Sequence, residues 1–190
     1  MHKYLPNSFV YLDQYNSSIF KNNNINLGII YRNYHSKNRE IELRKIAKAC
    51  KKKKIKLYVS NSMKLTLKFK ADGLYVPSFN KNKRYNNFEK KNLLIIGSAH
   101  NQKEIHEKIS QNCKIIFLSP VFPVKKSDTY LGLHRFNFLT YLNKTNIYAL
   151  GGISTKNISK LKTLNTKGFG GISFFKKKTG PFEGAGLLKN

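Results

Sequence analysis

The sequence is poor in cysteine and has no long hydrophobic run. Its 190 residues include two cysteines, Cys50 and Cys113, and we expect both to be small buried side chains in a reducing compartment, without a disulfide. No stretch of eighteen or more apolar residues occurs, so no transmembrane helix is predicted. Residues 1–6 lack the basic and then apolar regions of a signal peptide. We therefore expect a cytoplasmic protein with no membrane partner.

Acidic residues are also scarce. Nine aspartates and glutamates stand against 36 lysines and arginines, which gives a formal net charge of +27. Such an excess is typical of nucleic-acid-binding proteins, but here it is spread over the whole chain without a basic tail or an RNA-recognition motif. It also fits the lysine- and asparagine-rich bias of an AT-rich genome, or attraction of phosphorylated substrates. Nucleic-acid binding is the least favoured of the three, and clustering of the basic residues on one face would favour it.

Short apolar segments alternate with polar, helix-like segments along the chain. This alternation is typical of βα units and a parallel sheet. Eight strands are predicted, over residues 9–12, 27–31, 55–60, 73–76, 93–97, 115–119, 146–150 and 169–174. No linker or second domain is visible, and the chain is shorter than the roughly 250 residues usual for a barrel of eight such units. We predict an α/β fold, a compact single-domain (β/α)8 TIM barrel over residues 1–190, with shortened helices after strands 1 and 4 and a truncated last helix.

Helical periodicity predicts three helices between these strands, over residues 39–54, 101–110 and 154–164. Residues 63–69 are ambiguous, because their apolar residues alternate as in a strand but also fit a short helix. The βα units on either side favour the helix.

A double glycine lies at or near the end of each of the last two predicted strands: Gly151-Gly152 and Gly170-Gly171. Glycine lets the backbone approach a ligand closely, and backbone N–H groups at this edge of a barrel face bound phosphate. The pattern predicts a site for a small phosphorylated ligand. Tight turns or close packing could also require glycine at these positions.

Three segments, in this order, resemble the thiamine phosphate synthase/TenI family: Gly97-Ser98-Ala99-His100-Asn101, the Ile-Phe-Leu-Ser-Pro-Val-Phe-Pro run at 116–123, and the Tyr-Ala-Leu-Gly-Gly-Ile run at 148–153. The resemblance extends from about residue 27 to residue 175. It implies a TIM barrel that acts in thiamine biosynthesis. The synthase branch joins hydroxymethylpyrimidine diphosphate to thiazole phosphate with Mg²⁺, and the TenI branch is a thiazole tautomerase that moves a proton.

The resemblance also implies roles for individual residues. His100 matches the proton-transferring histidine, with a loop-anchoring histidine as the alternative. Nine further residues match positions that line the pocket or bind phosphate: Arg32, Ser98, Ser119, Gly151, Gly152, Gly170, Gly171, Ile172 and Ser173. In the loop after strand six, Val124 replaces the family threonine, and Lys125 and Lys126 can still supply an ammonium that faces phosphate. The arginine could instead form a surface ion pair, the serines could be strand-end hydroxyls, and the lysines could be solvated.

The diphosphate end departs from the family pattern. Asn61 and Asn80 occupy the positions of the two aspartates that bind Mg²⁺, and the Arg-Glu-Lys signature of the second strand reads Arg32-Asn33-Tyr34. Magnesium usually requires carboxylates, so no metal site and no certain cofactor are predicted, and Mg²⁺ enters only if the chain is a synthase. Pro77-Ser78 is closer to the TenI branch.

We therefore expect a TenI-like protein whose partner is a small phosphorylated thiamine precursor. A synthase is the alternative. A non-catalytic binder is a further alternative, because Asn33 replaces a glutamate that assists proton transfer. A nucleic-acid-binding protein is the last alternative. The sequence leaves open whether the chain forms a homo-oligomer.

Overall fold

Eight parallel strands close into a barrel in this computed structural model, which describes residues 5–21, 26–34, 36–85, 93–125 and 127–176. Each strand pairs with its neighbours in the chain, and β8 closes onto β1 with Ser8 opposite Phe169 and Val10 opposite Gly171. The predicted barrel is confirmed. The strands are β1 (Ser8–Leu12), β2 (Leu27–Tyr31), β3 (Lys56–Ser60), β4 (Gly73–Val76), β5 (Leu94–Ala99), β6 (Ile115–Leu118), β7 (Asn146–Leu150) and β8 (Phe169–Gly171).

Among the described residues, five α-helices follow five of the strands: α1 (Arg39–Lys53), α2 (Met63–Lys68), α3 (Gln102–Ser110), α4 (Gly132–Tyr141) and α5 (Ser173–Lys176). The ambiguous segment after β3 is a helix, because the Ser62 hydroxyl accepts the N–H of Leu65 and caps its first turn. After β1 the described residues form a 3-10 turn, Ser17–Phe20, which agrees with the shortened helix predicted there. The predicted short connection after β4 and the end of the last helix fall partly outside the described residues.

Two hydrophobic clusters lie on the two faces of the strands. One joins the outward strand residues to buried helix residues such as Leu43, Ile46, Ile105 and Phe136. The other contains only strand residues and fills the lumen of the barrel: Phe9, Tyr11, Ile30, Tyr58, Tyr75, Ile96, Ile115, Phe117 and Tyr148. Alternate residues of a strand point to opposite faces, so β1 sends Phe9 and Tyr11 inward and Val10 and Leu12 outward. This alternation decides which side chains reach the lumen end.

Two predicted elements are wrong in extent. The last strand ends at Gly171 instead of residue 174, and α5 begins two residues later. The Phe174 and Phe175 rings both pack on Phe169, at centroid distances of 5.6 and 5.9 Å, whereas adjacent residues of a strand would point to opposite faces. The predicted helix 154–164 is a 3-10 helix over Ile158–Thr163.

One helix is absent from the sequence-based prediction. α4 buries Phe136, Leu139 and Thr140, whose spacing is the signal that could have identified it. Both cysteines are free and buried, as expected. Within the described ranges, no helix is long and apolar enough to cross a membrane.

Candidate functional site

Four polar residues continue the inward alternation of their strands at the carboxyl end of the barrel: Arg32, Ser60, Ser98 and Ser119. Strand pairing extends to two of them, since Arg32 donates its N–H to Leu12 O at 2.8 Å and Ser119 donates to Ala99 O at 3.0 Å. Below them the lumen is filled with aromatic rings. The upper end of the lumen is therefore the polar end, and in a barrel this end carries the functional groups.

Arg32 is held loosely. Its Nε lies 3.9 Å from Asp13 Oδ1, and its guanidinium carbon lies 5.4 Å from the centroid of the Tyr11 ring. The side chain is 37% exposed, and an exposed ion pair of this length contributes little to stability. Its charge is therefore available to an anion at the rim.

Buried phenols form the floor beneath Arg32. The Tyr11 hydroxyl is buried and interacts with the Tyr75 phenol, but among the described residues no hydrogen bond of normal geometry reaches it. Burial raises the pKa of Tyr11 well above its usual range; Tyr75, whose ring centroid is 5.5 Å away, adds to the rise, and Arg32 opposes it. Burial also raises the pKa of Tyr75. Both phenols are neutral at pH 7, as ordinary phenols are, and burial keeps them neutral at more alkaline pH.

Two further contacts tie the rim loops to the strands. The Tyr34 and Ser60 hydroxyls are 2.8 Å apart and share a hydrogen bond. Ser78 donates its N–H to the buried Ser98 hydroxyl at 3.1 Å, which links the loop after β4 to the end of β5. The Ser98 hydroxyl also forms a hydrogen bond with the Tyr75 phenol, so it serves two structural contacts.

His100 follows β5 and is oriented by the first turn of α3. Its backbone N–H donates to Glu104 Oε2 at 2.8 Å, and its Nδ1 lies 2.8 Å from the same oxygen. The Asn101 side chain caps the helix by accepting the Glu104 N–H at 3.0 Å. With the proton on Nδ1 donated to Glu104, Nε2 is the acceptor, and the side chain is 49% exposed.

The two glycines that follow β7 pack tightly against the loop after β6. Gly151 and Gly152 have φ values of +89° and +72°. A Cβ on Gly151 would lie 2.8 Å from Pro120 Cα and 3.5 Å from Ser119 Oγ, and one on Gly152 would lie 2.5 Å from Phe122 O. Only glycine fits both positions, so close packing and backbone conformation are sufficient reasons for this pair.

The glycines of β8 differ from each other. A Cβ on Gly170 would lie 3.1 Å from rings of Phe117 and Tyr11 in the lumen, whereas one on Gly171 would make ordinary contacts of 3.5 Å or more. Packing does not require glycine at position 171. Ile172 is half-buried against the lumen cluster. The Ser173 side chain lies outside the described atoms.

Of the two candidate lysines, Lys125 is exposed in a tight turn closed by the bridge between Val124 and Ser127. Lys126 lies outside the described residues. No described contact brings Lys125 to the lumen end.

Asn61 and Asn80 meet directly. Asn80 Nδ2 donates to Asn61 Oδ1 at 2.5 Å and to the Tyr85 hydroxyl at 2.9 Å, and Asn80 Oδ1 accepts the Asn82 N–H at 2.8 Å. Asn61 has φ +55°, a conformation that asparagine tolerates better than most residues. Both side-chain atoms of Asn80 and the oxygen of Asn61 are thus engaged.

The family resemblance implies Mg²⁺ at these two positions, and the residues present do not fit it. They offer no carboxylate, and their amides bind each other where a cation would need free oxygens. Nor does any group of three His, Cys, Asp or Glu in the described parts of the chain form a metal site.

The positive charge next to this loop comes from a buried lysine side chain. Lys108 is fully buried, and its ammonium donates to Asn80 O at 2.7 Å and to Gln111 Oε1 at 2.8 Å. Burial lowers the pKa of Lys108. Gln111 Nε2 donates to the same Asn80 oxygen at 2.8 Å. The loop after β4 is therefore held by protein side chains.

The sequence analysis missed three residues of this region, Tyr11, Ser60 and Glu104, and it named Tyr34 and Ser78 only as differences from the family pattern. The available signal was the two-residue alternation of β1 and β3, which places Tyr11 and Ser60 on the inward face. Tyr34 and Ser78 lie in loops, and no sequence pattern places them beside Ser60 and Ser98.

Known proteins resemble this chain in sequence over most of the barrel. The family model described as "Thiamine monophosphate synthase" matches residues 25–175. The thiamine-phosphate synthase of Prochlorococcus marinus subsp. pastoris is 32% identical over 120 residues, which are 62% of this chain and 34% of that protein. That of Latilactobacillus sakei is 29% identical over 129 residues, 65% of this chain and 58% of that protein. The matches thus span about a third to somewhat over half of these relatives.

The solved structures agree on the fold. A thiamine phosphate pyrophosphorylase from Pyrococcus furiosus superposes with a TM-score of 0.72 over 92% of both chains, at 17% identity. The barrel and the family model, which matches the chain from its second strand to its last helix, lead to one conclusion: the chain belongs to the thiamine monophosphate synthase family.

Proposed function

We propose that this chain binds a thiazole phosphate at the carboxyl end of the barrel and transfers a proton there as a TenI-like tautomerase, without Mg²⁺. The observation that carries the proposal is the hydrogen bond between Asn80 and Asn61, at the two positions that the family resemblance assigns to metal ligands. A synthase needs these positions for a metal-bound diphosphate, whereas a tautomerase has no diphosphate to bind.

Phosphate binding in this proposal falls to Arg32 and to the backbone of Gly151, Gly152, Gly170 and Gly171. Arg32 supplies a guanidinium that is only weakly paired with Asp13, and a guanidinium binds phosphate oxygens in fork geometry. Gly171 is the glycine that packing does not explain, which supports a ligand-facing role for this turn. The neutral phenols of Tyr11 and Tyr75 form the floor.

Proton transfer in this proposal falls to His100 Nε2. Glu104, 2.8 Å from Nδ1, orients the ring and stabilises the imidazolium that forms when Nε2 takes a proton. An imidazole nitrogen can accept a proton and then return it, which a tautomerase requires of one group. Asn33 cannot assist, because its Nδ2 donates to Asp13 O and its Oδ1 accepts the Ser36 N–H.

The test is calorimetric titration with methyl-hydroxyethylthiazole phosphate, with and without Mg²⁺, followed by NMR measurement of deuterium exchange into the bound thiazole. We expect binding that Mg²⁺ does not change and exchange that His100→Ala abolishes. His106→Ala, on the outer side of α3, is the matched control and keeps exchange. Binding without exchange would replace the tautomerase by a non-catalytic binder.

A synthase is the second candidate, because the relatives from Prochlorococcus and Latilactobacillus are both thiamine-phosphate synthases. It requires turnover of hydroxymethylpyrimidine diphosphate with thiazole phosphate and release of pyrophosphate that depends on Mg²⁺. Such turnover would overturn the metal-independent proposal. Absence of thiazole-phosphate binding would overturn both candidates.

A further inference from the structure

A cavity of about 750 Å³ lies between α1 and α2 at the amino end of the strands, the end of the barrel opposite to the rim. Its position follows from its lining, since Lys54 and Ile55 lead into β3 and Lys70 and Asp72 lead into β4. None of the residues assigned to the rim site lines it. Its function is therefore separate from the proposed thiazole-phosphate site.

The lining carries many positive charges. Lys56 pairs with Asp72 at 2.7 Å, and Glu40 pairs with Lys68 at 2.5 Å and with Arg44 at 3.6 Å. Four other lysines around the cavity form no ion pair with a carboxylate of the described residues: Lys48, Lys51, Lys54 and Lys70.

The negative carboxyl ends of α1 and α2 do not balance the positive charge around the cavity. Both α1 and α2 end at the cavity, and lysines near a helix carboxyl end are stabilising. Each helix end supplies roughly half a negative charge, so two ends and two carboxylates leave about four of the seven cations uncompensated. A concave, low-dielectric surface concentrates the field of such charges and attracts anions.

The floor of the cavity is apolar. Cys50, Ile55 and Leu57 are buried there, and Ala47 and Phe69 are partly buried. The Arg44 guanidinium lies 5.9 Å from the centroid of the Phe69 ring. A volume of this size matches small-molecule sites, which typically measure roughly 300–1,000 Å³. The cavity therefore has an apolar floor surrounded by cationic side chains.

We propose that this cavity is a second binding site, for a small organic di- or triphosphate whose apolar or aromatic body rests on the floor while its phosphates contact Lys48, Lys51, Lys54 and Lys70. A concave site with an apolar floor favours a compact ligand over a nucleic-acid strand, which would follow a continuous basic stripe. Lysine, a point charge with three donors, binds phosphate without selecting a fixed geometry.

The test is calorimetric titration of the whole chain with ATP at physiological salt, with inorganic pyrophosphate and a short oligothymidylate as comparison probes. We expect equimolar ATP binding, weaker pyrophosphate binding, and about a tenfold loss of ATP affinity in Lys48→Glu/Lys70→Glu. Lys144→Glu/Lys162→Glu changes the net charge equally at exposed positions outside the cavity and keeps ATP binding. Lys48→Gln/Lys70→Gln serves if the reversal variant does not fold.

Three results would overturn the proposal. One is absence of saturable ATP binding, and another is equal loss in both charge-reversal pairs, which would show only diffuse attraction. The third is oligothymidylate binding through the same lysines, tighter than ATP and steeply dependent on salt.

Two further titrations separate the cavity from the rim site. ATP binding that Arg32→Ala abolishes and Lys48→Glu/Lys70→Glu leaves intact would assign ATP to the rim and likewise overturn the second site. Titration of Lys48→Glu/Lys70→Glu with thiazole phosphate is the complementary measurement, since we expect rim binding unchanged.

Discussion

Asn80 Nδ2 donates a 2.5 Å hydrogen bond to Asn61 Oδ1, so the residue that follows β3 is joined side chain to side chain with the loop that follows β4. In a barrel, neighbouring strand ends meet at one edge, and facing carboxylates there would repel each other unless a cation lay between them. Two neutral amides remove the repulsion and supply a donor and an acceptor. The loop consequently needs no ion to hold its position.

The first prediction restores the carboxylates. Asn61→Asp/Asn80→Asp replaces the hydrogen bond by two like charges, and we expect a loss of about 1–3 kcal/mol in the free energy of unfolding. Added Mg²⁺ should raise the Tm of this variant and leave that of the unmodified chain unchanged. Asn82→Asp, which adds a charge to the same loop outside the pair, is the control. Equal stabilisation of all three proteins by Mg²⁺ would contradict the prediction.

The second prediction concerns the buried Tyr11 phenol. Tyr11→Phe removes a hydroxyl that no well-formed hydrogen bond reaches among the described residues, so the free energy of unfolding should rise by about 1 kcal/mol. Tyr31→Phe should lower it by about 1 kcal/mol, because the Tyr31 hydroxyl donates to Arg39 O at 2.8 Å. Urea unfolding measures both. A loss of stability in Tyr11→Phe would show that its hydroxyl is satisfied in solution.

The third prediction compares two glycines of the rim. Gly151→Ala should lose about 1–3 kcal/mol, because its φ is +89° and the new Cβ would meet Pro120 at 2.8 Å. Gly171→Ala should lose less than about 0.5 kcal/mol, since its new Cβ makes ordinary contacts. Urea unfolding tests stability, and titration with thiazole phosphate tests binding. Weaker binding by a stable Gly171→Ala protein would support the ligand-facing role of this turn.

The fourth prediction concerns alkaline pH. Burial raises the pKa of the Cys50 and Cys113 thiols to about 12, whereas the pKa of a thiol in the unfolded chain is about 8.5. Above that pH the unfolded chain releases protons that the folded chain keeps, so the free energy of unfolding falls as the pH rises, by roughly 2 kcal/mol per thiol at about pH 10. Lys108, whose pKa is lowered by burial, opposes this fall, because there the unfolded chain holds the extra proton.

The measurement is urea unfolding between about pH 7 and 10, compared with Cys50→Ala/Cys113→Ala. The variant should be less stable at neutral pH, because two buried side chains are truncated, but its stability should fall less steeply with pH. Parallel slopes would show that the thiols do not control the alkaline loss.

Most of the fold was predictable, because buried parallel strands are short apolar runs and each is followed by a polar segment. The β8 boundary was not, since the choice between strand and helix at Phe174 depends on the Phe169 ring against which it packs. The 3-10 geometry of Ile158–Thr163 could not be predicted for a related reason. Asn157 binds Gly152 O and the Ser154 N–H, which holds the preceding turn in a shape that helical periodicity does not reveal.

The candidate site divides in the same way. Gly151, Ser98 and His100 stand in short motifs, so their positions at strand ends could be recognised from the sequence. The motif does not reveal that Gly151 has Pro120 against it, or that Glu104 holds His100. Those contacts depend on loop conformation.

Periodicity and residue type are local properties, and they were enough to establish the order of the strands, the positions of most of their ends and the absence of carboxylates at residues 61 and 80. Only the tertiary structure shows that Asn61 and Asn80 bind each other and that the buried Tyr11 phenol lies beneath Arg32. The structure also shows that the lysines in and just after α1 and α2 surround one cavity. These relations join residues far apart in the chain, and closure of the barrel is what brings them within contact distance.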